Sequence, residues 1–73
     1  MDYKHIGQNI GERRAKLRLP LREVAAMTGL SIGFISNIEH GRVMPTIPSL
    51  YAIAAALEVK PATLLRDTSG GAE

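Results

Sequence analysis

The stretch from Leu21 to His40, LREVAAMTGLSIGFISNIEH, constrains the fold of this 73-residue chain more than any other. Its apolar residues keep a helical period up to Met27, break at Thr28-Gly29, and resume as Leu30, Ile35 and Ile38 on a second helical period. The pattern predicts two short helices joined by a tight turn. Ala25 has no bulk to hold the helices apart, and Gly29 can take a positive φ at the corner. Ser31 can cap the second helix by accepting from the N–H of residue 33 or 34.

The rest of the chain reads as support for this unit. Ile6, Ile10 and Leu17 share a face, so residues 6–17 predict a first helix, a reading weakened by Gly7 and Gly11. Arg14 places a charge where the periodicity asks for a core residue. Pro20 suits the entrance of the next helix but supplies no capping oxygen. Residues 21–27 should bury Val24, Ala25 and either Leu21 or Met27. Residues 32–40 should bury Ile35 and Ile38, turning Ile32, Gly33, Ser36, Asn37 and His40 outward along one stripe.

Gly41 is placed to end that helix in the left-handed conformation, and Pro45 prevents quick resumption. Thr46 then predicts the cap of a fourth helix, with Pro48 in its first turn and Leu50, Ile53, Ala54 and Leu57 facing inward. Glu58 follows that helix. Pro61 opens a short fifth helix whose buried side is Leu64 and Leu65. Residues 6–66 thus form one all-α domain, a compact bundle of five helices. Residues 1–5 and 67–73 lack periodicity and read as flexible tails, the latter resembling a linker at Ser69-Gly70-Gly71.

A chain this short is near the lower limit for a single unaided core. It contains no cysteine, so neither disulfides nor thiolate metal sites can assist. His5 and His40 are far apart and lack the spaced ligands of a zinc site, so both read as surface residues and no cofactor is expected. No nucleophile, base and orienting group can be assembled, which argues against an enzyme. The longest apolar run, Leu50 to Leu57, is eight residues, far short of a membrane span, and no secretory signal is visible, so the cytoplasm is the default. The net charge is only +2, but between Met1 and Arg22 six basic residues face two acidic ones. Such clustering is compatible with phosphate contacts, although Arg13, Lys16 and Arg18 read more simply as solvated.

The run TGLS…FISNIEHGR followed by P…SL..IA.AL.V resembles the Cro and phage-repressor (xenobiotic-response-element) helix-turn-helix domains in both its elements and their spacing. Leu19, Val24-Ala25, Thr28 to Ser31, Ile35 to Glu39, Gly41, Pro45, Leu50, Ile53-Ala54, Ala56-Leu57, Val59 and Leu64 carry the likeness. The resemblance implies a five-helix bundle of the lambda-repressor-like type with the helix-turn-helix at 21–40, and an ion pair between Arg14 and Glu39. It implies that Glu58 holds a stop position commonly occupied by glycine, so some local strain is expected there. It further implies a transcriptional regulator of double-stranded DNA, by family habit a repressor and a homodimer. The chain is similar both to stand-alone repressors and controller proteins and to the N-terminal half of repressors carrying a cupin-like sensor barrel, so a sensor domain or partner protein is a further expectation.

In that geometry the second helix lies across the DNA backbone and the third enters the major groove. Leu21 and Arg22, Arg42 and the backbone N–H groups near Thr46 are then the phosphate candidates. Ile32, Gly33, Ser36 and Asn37 are the base readers, with Ser31 chiefly a cap and His40 at the end of the stripe. Asn37 can pair with adenine and Ile32 can pack on a thymine methyl, whereas Phe34 reads as core or semi-core. Known phage repressors carry long polar residues at the positions of Leu21, Ile32 and Gly33. An interaction module with weakened base reading is therefore the alternative.

Overall fold

A computed structural model describes residues 3–67. Of the predicted tails 1–5 and 67–73, residues 1–2 and 68–73, including the linker-like Ser69-Gly70-Gly71, lie outside the described residues. Five helices follow in order: α1 (Lys4–Lys16), α2 (Leu21–Thr28), α3 (Ile32–Glu39), α4 (Ile47–Ala56) and α5 (Pro61–Leu65). Their main contacts close a ring, α1 to α3 to α2 to α4 to α5 and back to α1. Every helix feeds the enclosed aliphatic core: Ile6 and Ile10 from α1, Val24 from α2, Ile35 and Ile38 from α3, Leu50, Ile53 and Ala54 from α4, and Leu64 from α5, with Leu57 just beyond α4. Phe34 is half-buried against this cluster.

Helix α1 begins earlier than the periodicity predicts. Lys4 and His5 are helical rather than part of a frayed tail, because the His5 ring meets the Leu65 carbonyl oxygen at 3.1 Å. Asn9 Nδ2 donates to the carbonyls of Leu64 (2.9 Å) and Arg66 (2.7 Å), and Arg13 Nε donates to Leu57 O at 2.9 Å. Arg13, read from sequence as solvated, thus satisfies a carbonyl that the end of α4 leaves without a helical partner.

The choice left open in α2 falls to Leu21, which packs against the core, while Met27 is 52 % exposed. Leu65 is likewise exposed (43 %) rather than buried, since α5 spans only five residues and presents one inward position, Leu64. Thr28 reinforces the turn through its hydroxyl. Oγ1 donates to Val24 O at 2.8 Å and accepts from Leu30 N at 3.2 Å, across the left-handed Gly29 (φ 76°).

Three helices end in the same paired carbonyl lock. After α1, Arg18 N and Leu19 N donate to Ala15 O and Arg14 O; after α3, Gly41 N and Arg42 N donate to Ile38 O and Asn37 O; after α4, Glu58 N and Val59 N donate to Ala55 O and Ala54 O. This is the Schellman arrangement, whose turning residue must be left-handed. Only one of the three is glycine: Arg18 has φ 57° and Glu58 φ 62°, against 74° at Gly41. The strain read at Glu58 is therefore present in the backbone. Glu58→Gly is expected to raise stability by about 0.5–1 kcal/mol, measured by urea unfolding, because it relieves a left-handed side-chain conformation.

Candidate nucleic-acid interface

Helix α3 carries the site and is packed against both α1 and α2. Helix α3 starts on Ser31, whose hydroxyl accepts from Phe34 N at 3.0 Å, and ends on His40. Ile35 and Ile38 are fully buried, which fixes the helix about its own axis. The opposite stripe is open. Ile32 is 47 % exposed, and a methyl group at Gly33 would meet nothing within 4 Å. Ser36 and Asn37 are half-buried one turn further along, and His40 closes the row in solvent.

The polar groups of this stripe are partly engaged with one another. His40 Nδ1 lies 2.8 Å from Ser36 O and 3.4 Å from Ser36 Oγ. A carbonyl only accepts, so Nδ1 carries the proton and Nε2 is the ring atom turned outward. Arg42 Nη1 donates to Asn37 Oδ1 at 3.2 Å, a solvent-facing contact between two side chains that the sequence reading treated as independent candidates. Spacing after a glycine stop was the signal for it. The Schellman turn at Gly41 brings residue 42 back over residue 37, with Arg42 N on Asn37 O at 2.9 Å.

The remaining candidates flank the stripe. Arg22 is exposed at the start of α2, where Pro20 provides no side-chain cap. The Leu21 side chain turns inward, so only its backbone N–H faces out from that terminus as a donor. Thr46 is committed to capping α4: Oγ1 accepts from Ser49 N at 3.2 Å and donates to Ser49 Oγ at 2.9 Å, while Ser49 Oγ donates to Thr46 O at 2.9 Å. Pro48 has no N–H, and Ser49 N and Leu50 N are both taken by Thr46, which leaves the Ile47 N–H beside it.

One forked ion pair anchors α3 behind the stripe. Arg14 Nε and Nη2 donate to Glu39 Oε2 (2.7 Å) and Oε1 (3.0 Å), and Nη1 donates to Leu19 O at 2.9 Å. Glycines let α1 approach closely enough for this. A Cβ at Gly7 would overlap the Ile38 carbonyl oxygen, and one at Gly11 would stand 3.4 Å from Glu39 Oε1. The two glycines that weaken the predicted first helix are thus what allows it to seat against α3. Hydrogen bonding from Glu39 outweighs desolvation and lifts the Arg14 pKa above its ordinary value. With a raised folded-state pKa, the arginine's contribution is complete below the ordinary arginine range and is lost only in stronger alkali.

A bundle of this order, with an exposed stripe on the second helix of a two-helix unit, defines a helix-turn-helix protein. The helix-turn-helix family profile matches residues 10–64, and the chain belongs to the Cro/C1-type helix-turn-helix family. It is 37 % identical over 65 residues to the HTH-type transcriptional regulator y4dJ of Sinorhizobium fredii, covering 89 % of this chain and 84 % of that one. It is 32 % identical over 59 residues to the ImmF control region 10 kDa protein of Bacillus phage phi105, covering 81 % of this chain and 66 % of that protein. Among solved structures it is similar to the restriction-modification controller protein C.AhdI of Aeromonas hydrophila, with TM-score 0.82, 25 % identity, and coverage of 86 % of this chain and 96 % of the controller. The clp gene regulator ClgR of Corynebacterium glutamicum aligns with TM-score 0.84 and 28 % identity, covering 89 % and 69 % of the two chains. The chain is therefore a member of a class of DNA-binding transcriptional regulators, not of enzymes. Among the described residues, no helix is long and apolar enough to cross a membrane.

Proposed function

We propose that this protein is a sequence-selective repressor that binds double-stranded DNA as a homodimer, with α3 in the major groove. The observation that carries this reading is the division of α3: Ile35 and Ile38 are sealed in the core while Ile32, Gly33, Ser36, Asn37 and His40 line the outer edge. Ser36 and Asn37 offer hydrogen-bonding groups to base edges, and Ile32 offers an apolar tip to a thymine methyl. Gly33 lets the backbone approach the bases without a side chain between them.

Phosphates are held by Arg22 and the free N–H groups at the start of α2, by Arg42 beyond α3, and by the Ile47 N–H at the start of α4 beside Thr46. A two-fold operator with half-sites about 34 Å apart matches a dimer of this class. Repression follows where such an operator overlaps the sites at which transcription begins.

Binding to random-sequence selected duplexes should weaken steeply with salt, with a logarithmic slope of about −0.9 for each phosphate neutralised. Asn37→Ala should relax base preference at one position of each half-site. A flat salt dependence, or no enriched sequence after selection, would refute the proposal. Exposed Ile32 also supports a protein-interaction module with weakened base reading. That reading gains if Asn37→Ala and Arg42→Ala both leave DNA binding unchanged.

A further inference from the structure

We infer that Arg42 is a positioning residue that couples a phosphate contact to base reading by holding the Asn37 amide in one orientation. The inference rests on the DNA-binding reading above and adds what sets its specificity. Arg42 Nη1 lies 3.2 Å from Asn37 Oδ1, and a guanidinium only donates, so chemistry alone assigns the amide's oxygen to that side. The Asn37 NH2 is thereby turned away from Arg42. Left to itself, an asparagine amide is free to present either end, and an end-over-end flip exchanges a donor for an acceptor against a base edge.

The backbone makes the restraint strong. Arg42 N donates to Asn37 O at 2.9 Å in the same turn, so residue 42 is tied to residue 37 through main chain and side chain alike. The turn depends on Gly41, whose φ is 74° and where a Cβ would stand 2.8 Å from Lys4 Cγ. One guanidinium has five donors in a rigid fork. With one on Asn37, the others are available for a phosphate oxygen, so the charge that anchors the backbone also fixes the base reader. The nearest parallel within the chain is Arg14, which spends Nη1 on Leu19 O while its other donors grip Glu39.

A lysine keeps the charge of Arg42 but is a point donor on a flexible stem and cannot bridge two acceptors in a fixed plane. The test compares wild type, Arg42→Lys, Arg42→Ala and Asn37→Ala on the selected duplex and on its variants at the base pair where Asn37→Ala loses preference. Wild type should prefer its base there by roughly tenfold. Arg42→Lys should retain the wild-type salt slope and lose most of that preference, while Arg42→Ala should lose the preference and about one unit of slope. Full preference in Arg42→Lys, or an Arg42→Ala that weakens every duplex equally, would overturn the inference and leave Arg42 a phosphate contact only. Unchanged preferences in Asn37→Ala would also overturn it, with DNA binding intact. Absence of salt-dependent binding by wild type would instead remove the reading beneath it.

Discussion

Replacing Glu39 by alanine is expected to destabilise the protein by about 3 kcal/mol, which for a domain of this size lowers Tm by roughly 12 °C or more. Glu39 is 11 % exposed in its side chain and Arg14 23 %, so neither charge is bathed in water once its partner is gone. Truncating the carboxylate strands a guanidinium between α1 and α3 with only Leu19 O left to it. The pair itself contributes far less than its loss costs, because desolvating both groups offsets much of their attraction. The double replacement Arg14→Met with Glu39→Leu is accordingly expected to be more stable than Glu39→Ala alone. Denaturant unfolding of the two variants beside wild type checks both statements. A Glu39→Ala protein within about 0.5 kcal/mol of wild type would show that solvent screens the pair and that the apolar packing of α3 is sufficient.

The second large effect is at Gly7. Alanine there should cost on the order of 3 kcal/mol, although alanine is the better helix former by about 1 kcal/mol. The added methyl would overlap Ile38 O and approach Glu39 O to 2.9 Å, and both are backbone atoms that cannot rotate aside. Helix α1 must then lift from α3, lengthening the fork between Arg14 and Glu39. Gly33→Ala is the control, since the same methyl meets nothing within 4 Å on the open stripe. It should stabilise the fold by about 0.5–1 kcal/mol through helix propensity alone. Thermal unfolding of the two variants should shift in opposite directions. If Gly7→Ala were neutral, the close approach of α1 and α3 would not be a constraint on the fold.

Most of the architecture was legible because local chemistry determines it. Ser31 and Thr46 each have a hydroxyl at the start of an apolar period, and each caps the helix that follows. Gly29 and Gly41 sit at helix ends and both adopt positive φ. Periodicity was less informative where the partner surface decides. Met27 and Leu21 fit the same amphipathic pattern, yet only Leu21 meets the core. Leu65 follows Leu64 in a helix too short to turn both inward. Arg18 carries no mark of a left-handed stop, because any residue can be forced there when the next N–H is claimed by the carbonyl of Arg14.

The outward stripe of α3 was likewise visible from spacing, since burying Ile35 and Ile38 leaves Ile32, Gly33, Ser36, Asn37 and His40 the far side. What spacing could not show is how these groups are engaged with one another. Helix periods, caps and stops are properties of neighbours within a few residues, so the order and identity of the five helices were already written in the chain. The seat of α1 on α3 at Gly7, the end-cap of Arg13 on Leu57 O and the hold of Asn9 on α5 join residues 31 to 57 positions apart. Such contacts depend on distances between helix axes, which no local pattern encodes, and only the closed ring of helices brings them about.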